Sequence, residues 1–296
     1  MSTTTPKLAV EADRIAMTLP RLAEKKRLHE PIVMITAYDF PSAQIAEQAG
    51  VDIVLVGDSA AEVVLGYGST VPVSIEEMLM LAAATRRGLR APLLVGDMPF
   101  GSYEASDEHA VLSAQRFVKE AGVDAVKLEG GGPTQVSRVA AIVASGIPVM
   151  GHVGLTPQSA TALGGRRAQG RTAERALAVA REARALEAAG CFAIVFEAIP
   201  AAVASELTGI LSIPVIGIGA GADTDGQVLV LHDLLGIYPG QGKRFAKRYA
   251  DVHAQMLGAV EEYAAEVRTR QFPSSEHTFS IDPRELSGFS DGLAAL

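Results

Sequence analysis

Charged side chains in this sequence stand where short apolar runs stop. "IVLVGDS" ends on Asp58 and Ser59, "PLLVGD" on Asp97, "AVKLE" on Lys127 and Glu129, "PVMGH" on His152 and "FAIVFE" on Glu197. Asp39, the glycines at 217, 219 and 221, and His232 with Asp233 end the remaining runs. Asp58, Asp97 and Glu129 are hard oxygen donors, and the chain has no cysteine cluster and no paired histidines at metal spacing. That donor set favours magnesium or a similar divalent ion over zinc. A cation would also relieve the carboxylates of their repulsion, roughly 4 kcal/mol for two charges about 4 Å apart at an effective dielectric near 20. The plainer alternative for any one of these acids is a helix cap or an ion pair with Lys127 or a nearby arginine.

Glu197 has apolar neighbours on both sides, so desolvation is expected to raise its pKa toward the range of a general base or acid. A buried glutamate paired with an arginine is the competing account. His152 in "GHVGLTP" fits either a substrate contact or a core imidazole bonded to backbone, and His232 reads as structural. Arg166, Arg167 and Arg171 in "GGRRAQGR" could hold an anionic substrate or simply face solvent. "GIGAG" lacks the full dinucleotide spacing, and points to tight backbone approach rather than a nicotinamide site.

What must position these residues is a set of eight apolar, β-branched runs, at 31–39, 52–59, 91–99, 125–131, 147–154, 192–200, 213–221 and 227–236. They are continuous rather than alternating, as in parallel strands covered on both faces. Helix signals lie between them. "SDEHAVLSAQRFVKEAG" has Ser106 as N-cap, acids in its first turn, Gly122 as its stop, and an apolar face of Ala110, Ala114, Phe117, Val118 and Ala121. Ala-Gly before a strand recurs in "EQAGVDIVLV", "KEAGVDAVKL" and "EAAGCFAIVF". Eight βα units fit a (β/α)8 barrel better than an open doubly wound sheet, and a barrel gathers its chemistry at the C-terminal ends of its strands. Lys127 and Glu129 flank Leu128, so both are expected to point into the barrel mouth. Residues 1–30 are expected to form a helical lead-in across the barrel bottom, 31–271 the catalytic barrel, and 272–296 a Ser, Pro and Gly-rich tail that is partly disordered.

A net charge of −8 gives nucleic acid and anionic membranes nothing to bind, which leaves small-molecule chemistry. The single cysteine, Cys191, permits no intrachain disulfide or thiolate zinc cluster and points to a reducing compartment, the cytoplasm. No signal core or membrane-spanning apolar stretch is expected.

Taken together, "ITAYD", "LVGDS", "VKLEGG", "GHVGLTPQS", "GGRRAQGR" and "IPVIGIGAGADTDGQVLVLHDLLGI" resemble the ketopantoate hydroxymethyltransferase family, in one order over roughly residues 15–280. The resemblance implies a TIM barrel of the phosphoenolpyruvate mutase and isocitrate lyase type, assembled into a ring-type homo-oligomer such as a decamer. It implies transfer of a hydroxymethyl group from 5,10-methylenetetrahydrofolate to 3-methyl-2-oxobutanoate, giving 2-dehydropantoate for pantothenate and coenzyme A synthesis. It also implies Asp58 and Asp97 as direct Mg2+ ligands, Glu129 as the third carboxylate of that site, Ser59 and Lys127 as substrate contacts, and Glu197 as the proton acceptor. The sequence departs from the family pattern at Ala60-Ala61-Glu62, where a leucine-glycine-methionine type loop is usual, and at Gly68, where aspartate is common. The rival reading is a metal-dependent 2-oxo acid carbon-carbon lyase or mutase on the same barrel. Those relatives typically carry an active-site cysteine in a lysine-rich loop, whereas Cys191 is expected on the far side of the barrel. A barrel that kept the fold and lost the reaction is the non-enzyme alternative.

Overall fold

The computed structural model describes residues 15–240 and 243–294; the expected lead-in before residue 15 and the last two residues of the tail lie outside that range. Two compact units divide the chain, one comprising residues up to 234 together with 242–247, the other 235–241 and 248–296.

The first unit opens with α1 (Leu19–Arg27), then alternates β1 (Ile32–Thr36), α2 (Phe40–Ala49), β2 (Ile53–Val56), α3 (Ala60–Val63), α4 (Ile75–Gly88) and β3 (Leu93–Asp97). It continues through α5 (Asp107–Arg116), β4 (Ala125–Lys127), α6 (Pro133–Ala144), β5 (Val149–Gly154), α7 (Ala173–Ala188), β6 (Ala193–Glu197) and α8 (Ala201–Ile210). β7 (Val215–Ile218), β8 (Gly226–Leu229) and α9 (Leu231–Leu235) complete the series. All eight strands are parallel and pair in sequence order, and β1 closes the barrel on β8 with Met34 opposite Val228. The (β/α)8 expectation is thus met and the open sheet is not.

Side-chain parity divides the core. Ile32, Met34, Ile53, Leu93, Val95, Ala125, Met150 and Val195 fill the barrel interior, while Val54, Val56, Leu94, Val126, Leu128 and Phe196 pack outward with the helices. Leu22 of α1, 1% exposed, joins the interior cluster beside strand-opening residues such as Ile32 and Leu93. Helix ends follow local chemistry. Asp39 and Ser74 each form a capping box on the helix that follows, and Ser106 caps α5 as its sequence predicts. Asp39 is therefore a cap.

Two expectations need correction. The run 227–236 is strand only at its start, because the Leu231 N–H donates to Thr36 Oγ1 at 3.0 Å and Leu234 N–H to the Val230 carbonyl, which starts a helix there. Val118 leaves the buried face of its helix, 37% exposed, because residues Phe117–Ala121 widen into a π-helical turn before Gly122 stops it in the left-handed conformation.

The second unit is built on α10 (Val252–Thr269) and α11 (Pro283–Leu293), capped by Asp251 and Asp282, with Phe272 edge-on to Tyr263 at 5.6 Å. The tail thus carries helix over Pro283–Leu293. Among the described residues, no helix is long and apolar enough to cross a membrane.

Candidate active site

A cavity of about 970 Å³ opens at the C-terminal ends of the strands. Barrel parity explains what lines it. Ala125 belongs to the interior cluster and Leu128 to the outer one, so Lys127 and Glu129 share the inward side of β4. The same cavity is lined by Asp58, Ser59, Asp97, His152 and Glu197. These seven candidates meet at one opening, whereas Asp39, His232 and Asp233, which also end apolar runs, do not line it.

Their contacts form a continuous buried network. Lys127 Nζ donates to Asp97 Oδ1 at 2.7 Å, and the Asp58 backbone N–H donates to Asp97 Oδ2 at 3.1 Å. His152 lies between two glutamates, its Nδ1 3.4 Å from Glu129 Oε1 and its Nε2 3.3 Å from Glu197 Oε2. Neither ring nitrogen makes a well-aligned hydrogen bond. The core imidazole bonded to backbone, one of the two accounts of His152, is therefore not what is found. Ser59 Oγ lies 3.0 Å from the Tyr38 hydroxyl. Glu197 is the least enclosed of these acids, its side chain 16% exposed, and it has an imidazole rather than an arginine beside it.

Burial and crowding set the charges. Burial first, then the Asp97 and Glu129 carboxylates, push the Asp58 carboxyl well above the usual carboxylate range. Burial opposes the Lys127 ammonium, yet Asp97, Glu129 and Asp58 outweigh it and hold the group above its ordinary value. His152 follows the same logic: burial and Lys127 work against protonation, but the two glutamates win and raise it to about 9.

Three carboxylates against one lysine and one histidine leave an excess of hard oxygen donors, a set that suits a divalent ion in charge and donor type. Among the described residues, however, no three His, Cys, Asp or Glu side chains stand as a closed metal cluster. Lys127 occupies one Asp97 oxygen, and an amide occupies one of Asp58.

That amide belongs to Gln158, which sequence reasoning did not single out. Its Nε2 donates to Asp58 Oδ2 at 3.0 Å and to the Met98 carbonyl at 3.1 Å, and its backbone N–H donates to Glu129 Oε2 at 3.0 Å. Its Oε1 accepts from the Tyr103 hydroxyl at 2.5 Å. Gln158 and Tyr103 are both buried, and the only available signal was their place in loops that follow strands.

Other expectations sort cleanly. A Cβ at Gly217 would stand 2.6 Å from Thr224 Oγ1, and one at Gly221 2.5 Å from Ala201 Cβ, so "GIGAG" serves close approach. Asp233 is buried and pairs with Lys243 at 3.3 Å, and His232 lies against Tyr38, 5.4 Å between ring centres. Arg166, Arg167 and Arg171 line the cavity and are exposed. Cys191 is buried ahead of β6, at the opposite end of that strand from Glu197, and burial pushes its thiol up to about 12.

Known proteins resemble this chain at two levels. Solved structures of similar fold include a phosphonopyruvate hydrolase complexed with oxalate and Mg++ (TM-score 0.58, 14% identity, 94% of this chain and 97% of that one). A 2,3-dimethylmalate lyase of the PEP mutase/isocitrate lyase superfamily is comparable (TM-score 0.56, 15% identity, 95% and 100%). At these identities the likeness concerns the fold. In sequence, the 3-methyl-2-oxobutanoate hydroxymethyltransferase of Carboxydothermus hydrogenoformans is 51% identical over 93% of this chain and 98% of its own length. That of Moorella thermoacetica is 52% identical over 90% and 99%, and the mitochondrial enzyme 1 of Oryza sativa subsp. japonica 50% identical over 94% and 78%. The family model for ketopantoate hydroxymethyltransferase matches residues 16–275. The chain therefore belongs to the ketopantoate hydroxymethyltransferase family and is an enzyme of that transferase type.

Proposed function

We propose that this enzyme transfers a hydroxymethyl group from 5,10-methylenetetrahydrofolate to 3-methyl-2-oxobutanoate, giving 2-dehydropantoate, with Glu197 as the base. The observation that carries the reading is a partly open carboxylate, Glu197, across the His152 ring from a buried floor that holds Asp58, Asp97, Lys127 and Glu129.

The oxo acid binds with its carboxylate toward the Lys127 ammonium, whose charge the surrounding acids secure. Ser59 Oγ, already beside the Tyr38 hydroxyl, offers a further polar contact to the same anion. Leu155, Val195, Ile199 and Ile218 line the apolar part of the cavity, suit the branched end of the substrate and keep water from the reacting carbon. Glu197 Oε2 takes the C3 proton. His152, protonated at neutral pH, compensates the Glu197 and Glu129 carboxylates, which lie 3.3 and 3.4 Å from its ring nitrogens. Asp58 and Asp97 would hold Mg2+ or another divalent ion, with Glu129 as the third carboxylate, and the ion would supply Lewis acidity to the substrate carbonyl. One water supplies the hydroxyl oxygen: it adds to the methylene carbon as the two C–N bonds break and its protons pass to the folate nitrogens, and the C3 carbon nucleophile attacks the formaldehyde carbon so released, whose oxygen takes back the proton held by Glu197.

The lyase or mutase alternative loses support because the only cysteine, Cys191, is buried away from Glu197 with its thiol held neutral. The same reading expects a ring-type homo-oligomer in the cytoplasm.

Glu197→Gln keeps the shape of the side chain but cannot accept the proton. The variant is expected to fold, to bind the oxo acid, and to lose exchange of the C3 hydrogen with deuterated water about 10²- to 10⁴-fold, followed by proton NMR without folate. Exchange at the wild-type rate would transfer the role to another group, His152 first. Absence of 2-dehydropantoate from wild-type enzyme supplied with both substrates, before and after chelator, would overturn the reaction itself.

A further inference from the structure

Ser59 precedes α3, where a serine hydroxyl ordinarily accepts from the backbone of the first turn, yet it makes no capping bond there. Its Oγ is turned instead to Tyr38, 3.0 Å from the phenol hydroxyl. Glycine at 57 permits that placement, since a Cβ there would stand 2.8 Å from Ser59 Oγ. Ser59 and Thr36 line the cavity, whereas Tyr38, 2% exposed, lies behind them and does not.

The hydrogen bonds behind Ser59 have a direction. The Leu231 N–H can only donate, and it donates to Thr36 Oγ1 at 3.0 Å. Thr36 is left with its own O–H to give, and the Tyr38 hydroxyl is the side-chain partner beside it. A phenol that accepts from Thr36 has its O–H for Ser59, and Ser59, accepting from Tyr38, has its O–H for the cavity. Each hydroxyl carries one proton, so the amide at the head of the row sets the polarity of all three. The Tyr38 ring is also braced, with the His232 imidazole tilted against it at 5.4 Å between ring centres. Both the amide and the imidazole come from the start of α9, far from Ser59 in sequence.

We propose that Tyr38 is a positioning residue for the oxo acid: its O–H donates to Ser59 Oγ, so that the Ser59 O–H is held as a donor toward the substrate carboxylate. The proposal rests on the 2-oxo acid reading above and deepens it. A serine hydroxyl free to rotate presents a lone pair to the anion as readily as a proton, and the lone pair repels it. The buried phenol removes that choice, and so adds to affinity without touching the substrate.

The test combines Tyr38→Phe, Ser59→Ala and the double variant, each as the full chain with Mg2+. By calorimetry, either single substitution should raise the Kd for 3-methyl-2-oxobutanoate about three- to tenfold, the worth of one hydrogen bond. The double variant should match Ser59→Ala within about twofold, because Tyr38 acts only through the serine. In C3 exchange followed by proton NMR, Tyr38→Phe should need more oxo acid for half-saturation while its maximal rate changes less than about twofold, the signature of lost uniform binding. If Tyr38→Phe does not fold, Thr36→Val takes its place in the cycle, and Thr36→Ser should restore wild-type affinity. A lowered maximal rate, independent effects of Tyr38 and Ser59, or wild-type affinity in Tyr38→Phe overturns the proposal and leaves the 2-oxo acid reading in place. A wild-type enzyme that neither binds the oxo acid nor exchanges its C3 hydrogen overturns that reading and this inference with it.

Discussion

The Lys127 ammonium donates to Asp97 Oδ1 at 2.7 Å, with the two side chains only 4% and 2% exposed. Removing one partner of such a pair strands the other charge in the interior and typically costs about 3–5 kcal/mol. The pair therefore has two roles to separate, support of the barrel mouth and handling of ligands, because an incoming cation must share Asp97 with a lysine that already holds it.

Asp58→Asn or Asp97→Asn is expected to weaken Mg2+ binding far more than Glu129→Gln does. In the proposed site the two aspartates are the direct ligands and Glu129 is only the third carboxylate, although all three already accept hydrogen bonds from protein groups. Calorimetry on folded variants checks this, and wild-type affinity in both aspartate variants would remove them as ligands.

Lys127→Met should raise the dissociation constant for 3-methyl-2-oxobutanoate about tenfold or more, the equivalent of roughly 1.5–3 kcal/mol for a lost charged hydrogen bond. The double variant Lys127→Met/Asp97→Asn relieves the stranded carboxylate, so it should recover stability but not substrate affinity. Recovery of both would reduce Lys127 to a structural partner of Asp97.

Gln158→Leu removes the partners of Asp58 Oδ2, the Met98 carbonyl and the Tyr103 hydroxyl together. Each buried polar group left unsatisfied costs about 1–3 kcal/mol, so urea unfolding should show a loss at the upper end of that range or beyond. A midpoint unchanged from wild type would mean that water replaces the amide at no cost.

His152 gives the chelator-treated enzyme a pH-dependent stability. Its folded pKa of about 9 lies above the ordinary 6.5, so its contribution is complete below about pH 6.5 and is lost as pH rises through 9. A shift of that size corresponds to about 3 kcal/mol. Melting temperature should fall across that window in the wild type and stay flatter in His152→Gln. Identical slopes in the two would exclude the histidine as the source.

Much of this was legible in the sequence because strands repeat every second residue and charges interrupt apolar runs. Lys127 and Glu129 could be assigned to one side of β4 from Leu128 between them, and the buried, reduced Cys191 could be set apart from the site. Gln158 and Tyr103 were not legible. A neutral amide or phenol in a loop breaks no pattern, and its importance arises only when the barrel brings Asp58, Met98 and Glu129 around it. Run 227–236 misled for a related reason. Its apolar content suits a strand or a buried helix, and the Thr36 hydroxyl, far away in sequence, decides between them.

The bond from residue 158 to the Glu129 carboxylate is made by main chain, not side chain. Of the twenty amino acids only proline lacks that N–H, so nearly every missense codon at this position leaves the contact standing. Drift at residue 158 would thus erode the Asp58 and Tyr103 contacts while sparing Glu129. In a mutational scan of enzyme function, proline should stand apart at 158 as the one replacement that strikes both carboxylates at once.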